Sequence, residues 1–142
     1  MRTILFPLSI GLLLSVAGCG QSQFEMADVE GTCTCDGVPM PMGMLVFTPV
    51  KPPNLTNDKV HELGKPAHGE IQEDGSFVLS TYGNEDGAVV GKHRVWLRMD
   101  EYEDEVGLPP CSEAPRDLIV EVPADGVYDL NINLSSNPLA QH

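Results

Sequence analysis

Asp28-Val29-Glu30-Gly31-Thr32-Cys33-Thr34-Cys35-Asp36-Gly37 is the stretch on which the fold class turns. Its side chains alternate, with Val29, Gly31, Cys33 and Cys35 on one face and Glu30, Thr32 and Thr34 on the other, the pattern of a strand buried on one side. Asp36-Gly37 then supplies two residues that tolerate positive φ, so a strand over 28–35 is expected to end in a tight turn.

The same grammar recurs outward from that stretch. A second strand is expected over 44–48, broken by the proline-rich 49–53, and the loop that follows runs to Pro66 with room for one helical turn near Asn57 to Leu63. Segments 69–72 and 76–80 read as a hairpin bent at Asp74-Gly75, with Phe77 and Leu79 facing inward. In 92–99, His93, Val95, Leu97 and Met99 alternate with Arg94, Trp96 and Arg98. Trp96 is too large to leave bare, so both faces of that strand are expected to be partly covered. Strands over 118–122 and 127–134, turned by Pro123-Ala124-Asp125-Gly126, complete the set. No segment carries a useful helical apolar stripe. The expected fold is therefore all-β, a seven-stranded antiparallel β-sandwich.

The start of the chain has a different character. Arg2 leads into 13 apolar-rich residues from Ile4 to Val16, which read as an export signal. A helix needs about 20 apolar residues to cross a bilayer, and Pro7 and Gly11 weaken this run further. Leu14-Ser15-Val16-Ala17-Gly18-Cys19 closes the run and resembles the lipobox of bacterial lipoproteins. That resemblance implies diacylglycerol on the Cys19 sulfur, cleavage before Cys19, and a further acyl chain, such as palmitate, on the new amino terminus. Two or three acyl chains, at about 0.8 kcal/mol per buried methylene, anchor a protein durably. The location implied is the cell membrane or the outer membrane, lipid-anchored, with the domain facing an extracytoplasmic compartment. An aspartate directly after the cysteine resembles an inner-membrane retention signal; Gly20 stands there instead, which favours the outer membrane.

The division expected is a signal peptide over 1–18, the lipid-bearing Cys19 and a small polar tether over 19–27, the sandwich over 28–134 and a tail over 135–142. Without its signal the chain has 124 residues, enough for a single core. It then carries 7 basic against 21 acidic side chains. Such a surface repels phosphate backbones, so a nucleic-acid partner is not expected. Nor does charge hold it to anionic lipid, which leaves the acyl anchor as the membrane contact.

With Cys19 taken by lipid, three cysteines remain. Cys33 and Cys35 point the same way from one strand and cannot easily bridge to each other. Cys35 closes the strand beside the turn while Cys33 lies nearer the core. A Cys35–Cys111 disulfide with Cys33 as a buried free thiol is therefore expected, and Cys33–Cys111 is the alternative.

Four pieces of the folded part carry a second resemblance: Gly31 to Met40, Gly43 to Pro49, Gly69 to Leu79 and Gly87 to Val95. In order and spacing they are similar to the carboxypeptidase regulatory-like, or transthyretin-like, domain found in small lipoproteins of planctomycete-type bacteria. The chain departs from that pattern at Cys33 and Cys35, where valine and tyrosine are more usual. The resemblance implies a prealbumin-like fold and no activity, since such domains serve as binding, adhesion or accessory modules.

Constellations that carry chemistry are few. Cys33 and Cys35, followed by Met40, Met42 and Met44, offer thiolate and thioether ligands that suit copper(I), against which stands the ordinary use of methionine as core filler. Asp100, Glu101, Glu103, Asp104 and Glu105 offer oxygens to calcium, but in no familiar loop spacing, and a solvated acidic loop is the plainer reading. His61, His68, His93 and His142 form no triad pattern with Ser76 or Ser80, and no glycine-framed nucleophile turn is present. The expectation is a non-catalytic binding or structural module of the cell envelope, with no cofactor, held to the membrane by lipid and facing an envelope protein or polysaccharide. Its docking loops are expected at Pro49 to Pro66 and Asp100 to Pro115. The alternative is a copper-binding envelope lipoprotein.

Overall fold

A computed structural model describes residues 23–54, 63–99, 107, 109, 111–112 and 118–137. Among these residues the chain is all-β, with no α-helix. The strands are β1 (Met26–Ala27), β2 (Val29–Cys35), β3 (Val38–Pro39), β4 (Met44–Pro49), β5 (Ala67–Glu70), β6 (Ser76–Val78), β7 (Ala88–Val89), β8 (Gly91–Arg98), β9 (Leu118–Val122) and β10 (Val127–Leu134). Each segment expected from alternation overlaps a strand, but the one expected over 69–72 lies at Ala67–Glu70 and the one expected over 76–80 ends at Val78. β1, β3 and β7 are additional, two-residue strands too short to show a period.

One sheet has the order β5-β4-β8-β9, antiparallel throughout. The second is built around β2. Along one edge β2 pairs with β10, and along the other it pairs first with β6 and then with β3. β1 and β7 form a separate two-stranded ladder. The β2–β10 pair is parallel, with Leu130 opposite Gly31 and Leu134 opposite Cys35, so the arrangement is not purely antiparallel as expected.

The expected hairpin around Asp74-Gly75 is present only at its tip and its base. The Gln72 amide donates to the Ser76 carbonyl at 2.9 Å, and His68 and Ser80 exchange bonds of 2.8 and 2.9 Å. Between them the arms part, because β5 ladders onto β4 while β6 ladders onto β2. The bend thus carries the chain from one sheet to the other. Its tip is fixed by Asp74, whose carboxylate accepts from the Ser76 amide and hydroxyl at 3.0 and 2.6 Å.

Both four-stranded sheets contribute to one core. Val29, Cys33, Phe77 and Ile132 come from the sheet around β2; Leu45, Phe47, Val95 and Val122 come from the other. Phe47 and Phe77 meet with ring centroids 6.3 Å apart. Burial of each such side chain contributes about 1.5–3 kcal/mol. The alternation in β2 and β8 follows from this: Val29, Cys33, Cys35, His93 and Val95 are buried, while Glu30, Thr32, Lys92 and Arg94 are exposed.

The fold reaches beyond 28–134 at both ends. Ala27 is buried, Phe24 stacks on Tyr82, and the Val90 amide donates to the Glu25 carbonyl at 2.9 Å. At the other end, Ser136 bonds to Asp36. The helical turn considered near Asn57 lies outside the described residues, apart from Leu63.

Candidate functional site

The chemistry-bearing residues gather at the end of β2. Asp36 and Gly37 have φ of 49° and 84°, the paired positive values of the tight turn that their side chains permit. On the core side of this turn Cys35 is joined to Cys111, with Cα atoms 5.8 Å apart and a sequence separation of 76. Among the described residues Cys33 is the free thiol, and it is fully buried. Burial pushes it up from the ordinary 9.0 to about 12, because a thiolate has no water or cation to stabilise it there.

The outward side of the same turn is held by the carboxyl-terminal strand. Asn133 Oδ1 accepts from the Thr34 hydroxyl at 2.9 Å and from the Gly37 amide at 3.2 Å. The Asp36 carboxylate accepts from the Ser136 hydroxyl at 2.5 Å and from its amide at 3.2 Å. These bonds, the hydroxyl first, hold the Asp36 carboxyl below the usual carboxylate range.

Met40, Met42 and Met44 take three different settings. Met40 is fully buried in the core, and its amide donates to the Cys33 carbonyl at 2.9 Å. Met42 is half-buried, and Met44, on the sheet opposite the cysteines, has its sulfur 3.0 Å from the guanidinium of its cross-strand partner Arg98. Ligand atoms of Cys35, Asp36 and Cys111 do lie within 4.8 Å of one another. With the disulfide closed, however, the two sulfurs offer no thiolate. Cys19 and the acidic run Asp100 to Glu105 lie outside the described residues, as do residues 55–62 of the first expected docking loop and most of the second.

Of the histidines, His61 and His142 lie outside the described residues, and the other two face opposite ways. His68 is half-buried on the outer surface beside Val46. His93 is 1 % exposed and lies 6.1 Å from the Phe47 ring. Its Nε2 is 2.6 Å from the Val89 carbonyl, which can only accept, so Nε2 carries the proton. Nδ1 is buried with no hydrogen-bond partner among the described residues. Alternation identified the strand that carries His93, but not that its polar ring turns inward.

The outer faces of the two sheets differ in charge. β8 presents Lys92, Arg94, Trp96 and Arg98 outward, and so carries three of the seven basic side chains of the chain without its signal. Val46 points the same way yet is only 3 % exposed, because Trp96 and His68 flank it in register. Both faces of this sheet are thus partly covered, as the bulk of Trp96 required. Across the outer surface of β6, β2 and β10 runs a groove of about 460 Å³ lined by Glu30, Thr32, Val78, Tyr128 and Asp129. The Tyr128 hydroxyl donates to Asp28 at 3.3 Å, and the negative charge of Asp28 holds that phenol above its ordinary value.

Comparison of the chain with protein-family models, with curated proteins and with solved structures finds no match.

Proposed function

We propose that this chain is a membrane-anchored, extracytoplasmic lipoprotein whose folded part is a non-catalytic binding or structural module of the cell envelope. The observation that carries the reading is the Cys35–Cys111 disulfide. Such bonds persist in oxidising compartments, which is where the export signal and the lipobox ending at Cys19 would deliver the chain. The folded part is a β-sandwich of the prealbumin-like, carboxypeptidase regulatory-like kind; in support, two four-stranded sheets share one core. The partner is an envelope protein or polysaccharide. An anionic polymer suits the aromatic and basic stripe of β8, which stands out on a chain of net charge −13.

The test is expression of the full chain in a bacterium, followed by intact-mass measurement of the membrane fraction and affinity capture of envelope components on the lipidated protein. A mass equal to residues 19–142 plus diacylglycerol and an acyl chain, lost in Cys19→Ser, is the expected result. Recovery of an unlipidated soluble chain would overturn the anchor.

A second reading, a soft-metal lipoprotein, rests on the closeness of Cys35, Cys111 and Asp36, where reduction of the disulfide would free two sulfur ligands. Copper retained by the reduced protein and lost in Cys35→Ala would favour it.

A further inference from the structure

Phe24, Lys65 and Tyr82, distant in sequence, meet at the end of the domain where the chain enters from its amino terminus. Phe24 and Tyr82 stack with centroids 6.2 Å apart and planes 5° from parallel. The Lys65 ammonium lies 5.5 Å from the Tyr82 ring centre, and the Lys65 amide donates to the Tyr82 hydroxyl at 3.1 Å. Gly64, at φ +83°, lies beneath the pair, where a Cβ would come within 3.4 Å of both Phe24 and Tyr82. Tyr82 is nevertheless 42 % exposed, and Lys65 is exposed.

The loop that presents Tyr82 is fixed. The Asp86 carboxylate accepts from the amides of Thr81, Tyr82 and Gly83 at 2.7, 3.0 and 2.7 Å, and the Glu85 amide donates to the Ser80 hydroxyl at 2.8 Å. An amphipathic ring held outward beside a cation is the chemistry that settles at the headgroup level of a bilayer.

Position adds the second argument. Only four residue steps separate Cys19 from Gln23, so their Cα atoms lie within about 14 Å of each other in any conformation. A lipid on Cys19 therefore brings the end of the domain bearing Phe24 close to the headgroups. The opposite end of β2 lies about 20 Å further along, at the strand rise per residue. We propose that Phe24, Lys65 and Tyr82 form a membrane-seating corner: the rings enter the headgroup layer, Lys65 meets lipid phosphate, and the anchored domain stands with β1 and β7 toward the bilayer. This inference rests on the lipid anchor at Cys19.

The experiment uses the full lipidated chain, purified from membranes and reconstituted in vesicles of phosphatidylethanolamine and phosphatidylglycerol that contain a headgroup-level photoactivatable phospholipid. Intact mass first establishes lipid on Cys19. Peptide mapping after illumination is expected to place cross-links on Phe24, Lys65 and Tyr82 and to spare Val38, which is 66 % exposed at the far end of β2. Lys65→Glu keeps the backbone bonds and should lower cross-linking at this corner about fivefold, with an unchanged thermal midpoint. With lipid present on Cys19, equal labelling of Val38 and the corner, or none at either, overturns the seating and leaves the anchor standing. Absence of lipid on Cys19 overturns both.

Discussion

The amide of Cys33 donates to the carbonyl of Gly75 at 2.8 Å, and the bond marks the point where β2 exchanges one partner strand for another. Up to Thr32 its edge is laddered to β6; from Thr34 it is laddered to β3. Gly75 has φ +85°, and a Cβ there would stand 2.7 Å from the Cys33 oxygen. Gly75→Ala is therefore expected to cost about 2–4 kcal/mol, from positive-φ strain together with displacement of β2. Gly37→Ala, at φ +84° with open space around it, should cost about 1 kcal/mol. Urea unfolding of the two variants compares them, and equal losses would contradict this account.

The Cys35–Cys111 bridge closes a loop of 76 residues. On the chain-entropy model, a loop of that length stabilises the fold by about 4–5 kcal/mol. Cys111→Ala should lower the unfolding free energy by an amount of that order, and reduction of the wild type should do the same. Cys33→Ala leaves the bridge intact and should lose only about 1 kcal/mol through lost packing. Peptide mapping without reduction, with Cys33 recovered as the alkylated thiol, checks the pairing directly.

The Cys33 thiol is held at about 12 in the folded chain against an ordinary 9.0. The folded state thus keeps a proton that the unfolded state gives up. The stabilisation is complete below pH 9 and declines as the pH rises from there toward about 12. Folded protein at pH 8 should leave Cys33 unmodified by a thiol reagent, whereas urea-unfolded protein reacts fully. From pH 9 to 11 the wild type should lose stability faster than Cys33→Ala, and parallel pH profiles would refute the assignment.

Asp36 gives the opposite sign. Its folded carboxyl lies below the ordinary 3.8 because Ser136 donates to the ionised form. The associated stability is present above that value and is lost as the pH falls through the folded one. Ser136→Ala should move the Asp36 titration, followed by carboxyl NMR, back up toward 3.8. It should leave the acid limb of the stability profile less steep.

Much of this architecture was legible in the sequence, because burial on one face of a strand writes itself as alternation. Val29, Cys33 and Cys35 show it in β2, whereas in β8 alternation marked the strand and the bulk of Trp96 left its buried face undecided. Asp36-Gly37 and Asp74-Gly75 mark their turns because few other residues accept positive φ. The choice of partner strand was not legible. Nothing local in 76–80 says that β6 ladders onto β2 rather than back onto β5, and nothing in 127–134 says that β10 runs parallel to β2. At the candidate sites, Cys35 and Cys111 were visible as chemistry, whereas the Asp36–Ser136 bond and the Phe24–Tyr82 stack join residues with no shared local pattern.

The parallel pairing of β2 with β10 has a kinetic consequence. Gly31 meets Leu130 only after 99 intervening sequence steps, and Ile132 completes the core beside Cys33. A sheet whose central strand waits for the last strand closes late, because loop-closure entropy must be met before the contact is rewarded. A chain threaded amino terminus first through a narrow translocation channel would therefore stay unfolded, and so transportable, until nearly all of it had passed.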